Sequence, residues 1–176
     1  MTAVFLAIGA GVILASAFPS FNLSFLAWVG LVPLFFAVQG RSGLQVFRLG
    51  FLTGLCFYLI LLHWLIVPMT VYGGMPLYLA WPVLLLLAVY LSLYFGAFAL
   101  LVSISQTRSW LFATLFLPAS WVFLDWARTY LLSGFPWGSL GYSQANNLWA
   151  IQGADLGGVY LVTYLVVLVN LALYQL

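Results

Sequence analysis

Residues able to do chemistry are scarce in this chain, and one stretch holds both acids, an arginine and the longest polar run. The 176 residues include four arginines, two aspartates, one histidine and one cysteine, with no lysine and no glutamate. Both aspartates and Arg128 lie between Trp121 and Asp155. Asp125 and Arg128 are three positions apart, so on a helix they share a face and can pair. An unpaired charge in an apolar setting is expensive. Two roles are open for Arg128: half of a structural ion pair, or a contact to an anionic headgroup. The residues that follow, 133–144, read SGFPWGSLGYSQ, with four hydroxyl side chains, three glycines and a glutamine. That run is too polar for a lipid-facing helix, so its backbone must face water, protein or a cavity. Phe135 and Trp137 offer apolar bodies suited to an acyl chain or an interface, and Gly138 and Gly141 allow the backbone to turn tightly. An outer loop resting on a membrane is the plain alternative.

Outside that stretch little invites chemistry. His63 sits beside Trp64, with no second histidine and with Cys56 seven residues away, so a hydrogen bond is expected of it and no metal site. Cys56 stands in an apolar run, where a small buried thiol is inert. One cysteine excludes an internal disulfide. No cofactor is expected. A net charge of +2 gives no footprint for nucleic acid.

The elements that must position these residues are transmembrane helices. Hydrophobic residues make up 66% of the chain and charged residues 3%. A soluble domain carries roughly a quarter charged residues, so lipid is the solvent for most of this surface. Long apolar runs without alternation exclude the strands of a β-barrel. The expected fold is an all-α, polytopic transmembrane bundle forming a single domain over residues 1–176. It has about six spans, each needing roughly 20 apolar residues to cross the hydrocarbon, and an outward-facing polar loop rich in glycine and aromatic residues. The spans are expected near residues 2–17, 23–38, 47–67, 77–103, 111–130 and 156–176. The first two are short and joined by the turn signal Phe18-Pro19-Ser20-Phe21-Asn22. Pro68 is expected to stop the third, Pro118 to kink the fifth, and Asp155 to cap the sixth. Ala15-Ser16-Ala17 resembles a signal-peptidase site, but no basic residue precedes the apolar stretch, so a retained first helix is expected.

Small residues recur at helical spacing: Ala3, Ala7, Gly11 and Ala15 on the first span, Gly50 and Gly54 on the third, and Ala88, Ser92 and Gly96 on the fourth. Such stripes let backbones approach closely in lipid. Tryptophans 28, 64, 110, 137 and 149 lie near span ends, as an interfacial belt requires. Arg41, Arg48 and Arg108 fall at two connections on the same side, which the positive-inside rule makes cytoplasmic, together with the N-terminus. Residues 131–155 then face outward. No internal repeat is evident, which speaks against an inverted-repeat transporter. A small-molecule transporter and a passive membrane scaffold remain the alternatives to a lipid-handling enzyme.

Trp121-Val122-Phe123-Leu124-Asp125-Trp126-Ala127-Arg128, the Ser133 to Gln144 run, Gln152-Gly153-Ala154-Asp155-Leu156-Gly157-Gly158-Val159-Tyr160 and Val169-Asn170 together resemble apolipoprotein N-acyltransferases. Pro33-Leu34 and the stretch from Gly50 to Trp64 are similar as well. One departure is Asp125, where the family usually has glutamate. The resemblance implies a multi-pass enzyme of the bacterial inner membrane. Its partners would be a phospholipid acyl donor, a lipoprotein acceptor bearing a diacylglyceryl-cysteine amine, and membrane lipid; oligomeric state is left open. It further implies covalent catalysis by a Cys, Glu and Lys in a nitrilase-like domain following the membrane spans. This chain has no glutamate and no lysine, so no catalytic residue is assigned within it. It is expected to be the N-terminal membrane part alone, a truncated product or a fragment, and inactive by itself. Its lipid-binding candidates are Arg128, Phe135, Pro136, Trp137, Gly141, Tyr142 and Gln144.

Overall fold

The computed structural model describes residues 1–19 and 21–176; Ser20, inside the expected first turn, lies outside the described residues. The described residues form seven α-helices joined by short 3-10 and π turns, with no strands among them. The helices are α1 (Thr2–Ser16), α2 (Val32–Val38), α3 (Gly43–Leu62), α4 (Leu77–Ser105), α5 (Trp110–Tyr130), α6 (Leu148–Ile151) and α7 (Ala154–Gln175). Four helical rods are long and apolar enough to cross a membrane: Gly43–Tyr72, Leu77–Ser105, Trp110–Tyr130 and Ala154–Gln175. Thr2–Ser16 and Ser24–Val38 are apolar but shorter. The helical membrane bundle is therefore as the sequence implies, with four full-length rods preceded by the two short apolar elements.

The second expected span is broken. Residues Ser24–Trp28 form a 3-10 turn, and α2 is only seven residues long, with Pro33 in its first turn. Proline has no N–H and presets φ, so it opens a helix far more readily than it continues one. Backbone groups released by this break are satisfied from α7. The Leu31 N–H donates to Asn170 Oδ1 at 2.8 Å, and Asn170 Nδ2 donates to the Ala27 carbonyl at 2.8 Å. Irregular backbone is tolerated at membrane depth only where protein supplies such partners.

Pro68 does not stop the third rod. It opens a π-helical turn, Pro68–Tyr72, closed by the Gly73 N–H on the Pro68 carbonyl at 2.9 Å. As the first residue of a new turn, Pro68 has no N–H to contribute, and the rod carries on through it. α5 runs through Pro118 with no residue outside helical geometry. α7 is interrupted where Gly157 and Gly158 leave helical geometry, with Gly158 at φ +64°. Asp155 lies before that interruption, exposed, and makes no side-chain cap; the residue at the N-cap is Gly153.

α3 lies between α1 and α4 and packs extensively on both. The small-residue stripes meet at these two interfaces. A Cβ on Gly11 would come within 2.5 Å of the Thr53 carbonyl oxygen, and one on Gly50 within 2.5 Å of the Phe95 carbonyl oxygen. Between α3, α4 and α5 sits an aromatic core. The Trp121 ring stands edge-on to Phe98 at 4.6 Å and to Phe95 at 5.0 Å, and Phe57 lies 5.4 Å from Phe95. Large apolar side chains such as Leu86 and Phe123 point away from the bundle, 69% and 62% exposed, which suits a surface solvated by lipid.

The connections sort to two ends. At one, the Gly40 N–H donates to Gln106 Oε1 at 3.4 Å and Ser103 Oγ to the Arg41 carbonyl at 2.8 Å, so the two arginine-bearing connections meet. At the other, Asn146 Nδ2 donates to Asn22 Oδ1 at 2.9 Å, and the rings of Trp64 and Trp137 lie 6.5 Å apart. The glycine-rich polar segment therefore lies at the end opposite Arg41 and Arg108.

Candidate functional site

The last turns of α5 carry Asp125 and Arg128, and the segment after α5 folds back over them. Arg128 Nη2 donates to Asp125 Oδ1 at 2.6 Å. Arg128 Nη1 donates to the Phe135 carbonyl at 3.1 Å and also to the Trp137 carbonyl. The other carboxylate oxygen, Asp125 Oδ2, accepts from Ser139 Oγ at 2.6 Å. Arg128 is only 1% exposed, and its guanidinium lies 5.9 Å from the centre of the Tyr58 ring. One buried ion pair thus engages three points of the returning chain: two carbonyls and a hydroxyl. Charge-assisted bonds of this kind are shorter and stronger than neutral ones. They also satisfy backbone oxygens that lipid could not.

A second layer ties the segment to α7. Ser139 Oγ lies 3.0 Å from Thr163 Oγ1, which accepts the Gly141 N–H at 3.0 Å. Backbone shape makes this fit possible. Gly138 sits at φ +84°, the left-handed region that favours glycine. Gly141 is needed for room instead of for a turn: a Cβ there would lie 2.5 Å from the Val159 carbonyl oxygen. Gln144 closes the segment. Its Nε2 donates to the Ser24 carbonyl at 2.9 Å, and its Oε1 accepts Trp28 Nε1 at 3.0 Å. Gln144 therefore anchors the broken second segment from one side, as Asn170 does from another.

The seven candidates divide into two sets. Arg128, Gly141 and Gln144 are buried and hold the segment in place. Pro136, Trp137 and Tyr142 are exposed, with Phe135 partly buried and its ring 5.3 Å from that of Trp137. Trp137 and Tyr142, 53% and 48% exposed, line a groove of about 600 Å³. Its other walls are Phe18 and Pro19 after α1, Leu61 and Trp64 on either side of the end of α3, and Gly138. That volume lies within the usual range for small-ligand sites, roughly 300–1,000 Å³. The groove is apolar, open to the outside and floored by the anchored segment. It suits a hydrocarbon chain, and Tyr142 is the one ionisable side chain among the described residues that line it. His63 is next to it in sequence, with Nδ1 donating to the Ile60 carbonyl at 2.7 Å. Cys56 is partly buried in α3, where its Cβ faces Gly11.

Four participants escaped the sequence reading: Tyr58, Ser139 as the carboxylate's partner, Thr163 and Asn170. Thr163 and Asn170 carried a usable signal. They stand seven residues apart, two turns along one face of an otherwise apolar helix. Polar side chains so placed on a membrane helix usually face protein.

Comparison with known proteins places this arrangement in a family. The profile described as Apolipoprotein N-acyltransferase N-terminal domain matches residues 10–172. An apolipoprotein N-acyltransferase of Geobacter metallireducens is 40% identical over 170 residues, which is 97% of this chain and 32% of the relative. Those of Gloeobacter violaceus and Chromobacterium violaceum are 36% and 35% identical, each over 95% of this chain and 33% and 32% of the relative. The chain thus spans about a third of the length of the curated relatives it matches. With 163 of its residues, from 10 to 172, inside the profile, the chain belongs to the apolipoprotein N-acyltransferase N-terminal domain family.

Proposed function

We propose that this chain is the membrane part of an enzyme that moves an acyl chain from a phospholipid to the N-terminal amine of a lipoprotein's diacylglyceryl-cysteine. Its own contribution is to hold an acyl chain of a lipid substrate in the groove beside Trp137. The observation that carries this reading is the groove itself: about 600 Å³, apolar and open, and walled by the residues most like the family's. Asp125 and Arg128 act as positioning residues that keep the floor of the groove in place. Placing Arg41, Arg48 and Arg108 on the cytoplasmic side puts the groove at the outer surface of a bacterial inner membrane.

On this reading the chemistry is supplied outside this chain. In the reaction the resemblance implies, a cysteine thiolate attacks the phospholipid ester, the lysophospholipid leaves, and the amine then takes the acyl group from the thioester. A chain without glutamate or lysine cannot assemble the Glu, Lys and Cys this requires. The division of labour is then anchoring and lipid capture here, and bond making in the part of the enzyme outside the matched third.

The test uses a full-length enzyme with this sequence as its N-terminal part. Trp137→Ala removes a groove wall without touching the Asp125–Arg128 pair. Acyl-enzyme formation should fall by about tenfold, the cost of losing roughly 1.4 kcal/mol of apolar contact, while the amount of protein in the membrane stays unchanged. Formation at the wild-type rate would reduce the segment to an ordinary outer loop.

A further inference from the structure

A second cleft lies at the opposite end of the bundle, between α4, α5 and α7. It has a volume of about 670 Å³. Its floor is apolar and tightly packed: Val102, Leu117 and Leu171 are 1%, 1% and 2% exposed. Its rim is polar and carries a positive charge, with Gln39, Arg108 and Gln175. Arg108 is exposed, and its guanidinium has no acceptor among the described residues. Arg41 and Arg48 stand on the same end, which holds no Asp or Glu side chain, since Asp125 and Asp155 both lie toward the other. A site with donors around the mouth, a cation beside it and an apolar floor below is complementary to one chemistry: a phosphodiester attached to hydrocarbon. Basic pockets between membrane helices are a recurrent form of such recognition.

We propose that this cleft binds an anionic phospholipid of the leaflet on the arginine side, its phosphate at Arg108 and the upper part of an acyl chain over Val102, Leu117 and Leu171. Trp110, 69% exposed at the start of α5, lines the same cleft and marks the depth of the headgroup layer. The site is separate from the groove beside Trp137, with the length of the bundle between them. It does not depend on the acyltransferase reading. Its role is to hold the bundle at a fixed depth and orientation through a lipid that is bound and not consumed.

The experiment is native mass spectrometry of the 176-residue chain in detergent, titrated with phosphatidylglycerol and, separately, with phosphatidylcholine. Phosphatidylglycerol should be retained preferentially, and Arg108→Gln should weaken its retention about tenfold, the loss of one charge-assisted hydrogen bond. Arg48→Gln makes the same change in net charge on the same end without lining the cleft, and it should leave retention within about twofold. Inorganic phosphate at millimolar concentration should not displace the lipid. The proposal is overturned if both arginine variants weaken binding equally, since surface charge alone would then suffice. It is also overturned if phosphatidylcholine is held as well as phosphatidylglycerol, or if free phosphate competes. The Arg108 side chain is exposed and bonds to no other residue described, so loss of the fold is not expected; a circular dichroism spectrum unlike the parent's would be counted against the assignment of Arg108 to a ligand.

Discussion

The two halves of this bundle are held together by different forces. In the half built from α1, α3 and α4, regular helices meet through glycine and alanine, and their backbones touch. The Thr53 hydroxyl on the Ala7 carbonyl, at 2.9 Å, is the one interhelical side-chain hydrogen bond among the described residues of those three helices. In the half built from α5, residues 134–144, the broken second segment and α7, polar side chains hold the parts together: Asp125, Arg128, Ser139, Thr163, Gln144 and Asn170. The difference follows from backbone regularity. A straight helix satisfies its own N–H and C=O groups, so two such helices need only fit. A segment that leaves helical geometry inside lipid exposes donors and acceptors that something must meet. The polar half is also the half that carries the groove, because only irregular backbone could fold back to form its floor.

Breaking the polar half should have the largest effect. Arg128→Ala leaves the Asp125 carboxylate buried without its partner, a change that costs about 3–5 kcal/mol when a buried pair loses one member. Unfolding in detergent should shift accordingly, and residues 134–144 should become open to proteolysis well before the helices do. Adding Asp125→Asn removes the stranded charge and should return part of the loss. If the segment stays protected in Arg128→Ala, the ion pair is not what holds it. A smaller effect, of about 1–3 kcal/mol, is expected from Gly50→Val, where the new side chain meets the Phe95 backbone at the α3–α4 interface. Here the helices should loosen while the 134–144 segment remains protected. Gly9→Ala is the matching control: a Cβ at Gly9 meets nothing within 4 Å, so no loss is expected. Equal sensitivity at Gly9 and Gly50 would remove close packing as the explanation of the apolar half.

The same division decides what could be read from sequence. The regular half was legible because its determinants are local and periodic. Apolar runs marked the rods, and the stripes at Gly11, Gly50, Gly54 and Gly96 marked the faces that do meet. The polar half was legible in content but not in partnership. Asp125 and Arg128 share a helix face and do pair, whereas the carbonyls of Phe135 and Trp137 that complete the guanidinium's shell depend on the path of the returning chain. Asn170 and its partners at Ala27 and Leu31 lie about 140 residues apart, beyond any periodic signal. Pro33 and the Gly157-Gly158 pair are visible in the sequence, and each interrupts a helix where hydropathy alone suggests continuity. Of the seven lipid-binding candidates, composition could not say which would face the groove and which would support it. That distinction is one of burial, and it separates Trp137 and Tyr142 from Arg128, Gly141 and Gln144.

The central claim, that the anchored segment floors an acyl-chain groove, is tested most directly by photo-crosslinking. A phospholipid carrying a diazirine within one acyl chain would be added to the chain in detergent and irradiated, and the labelled peptides mapped with and without excess unlabelled phospholipid. The account predicts adducts concentrated at residues 136–145 and at Leu61 to Trp64, suppressed by the competitor, with lipid-facing Leu86 and Phe123 labelled only weakly and without competition. Uniform labelling of every exposed apolar face, unchanged by competitor, would contradict it.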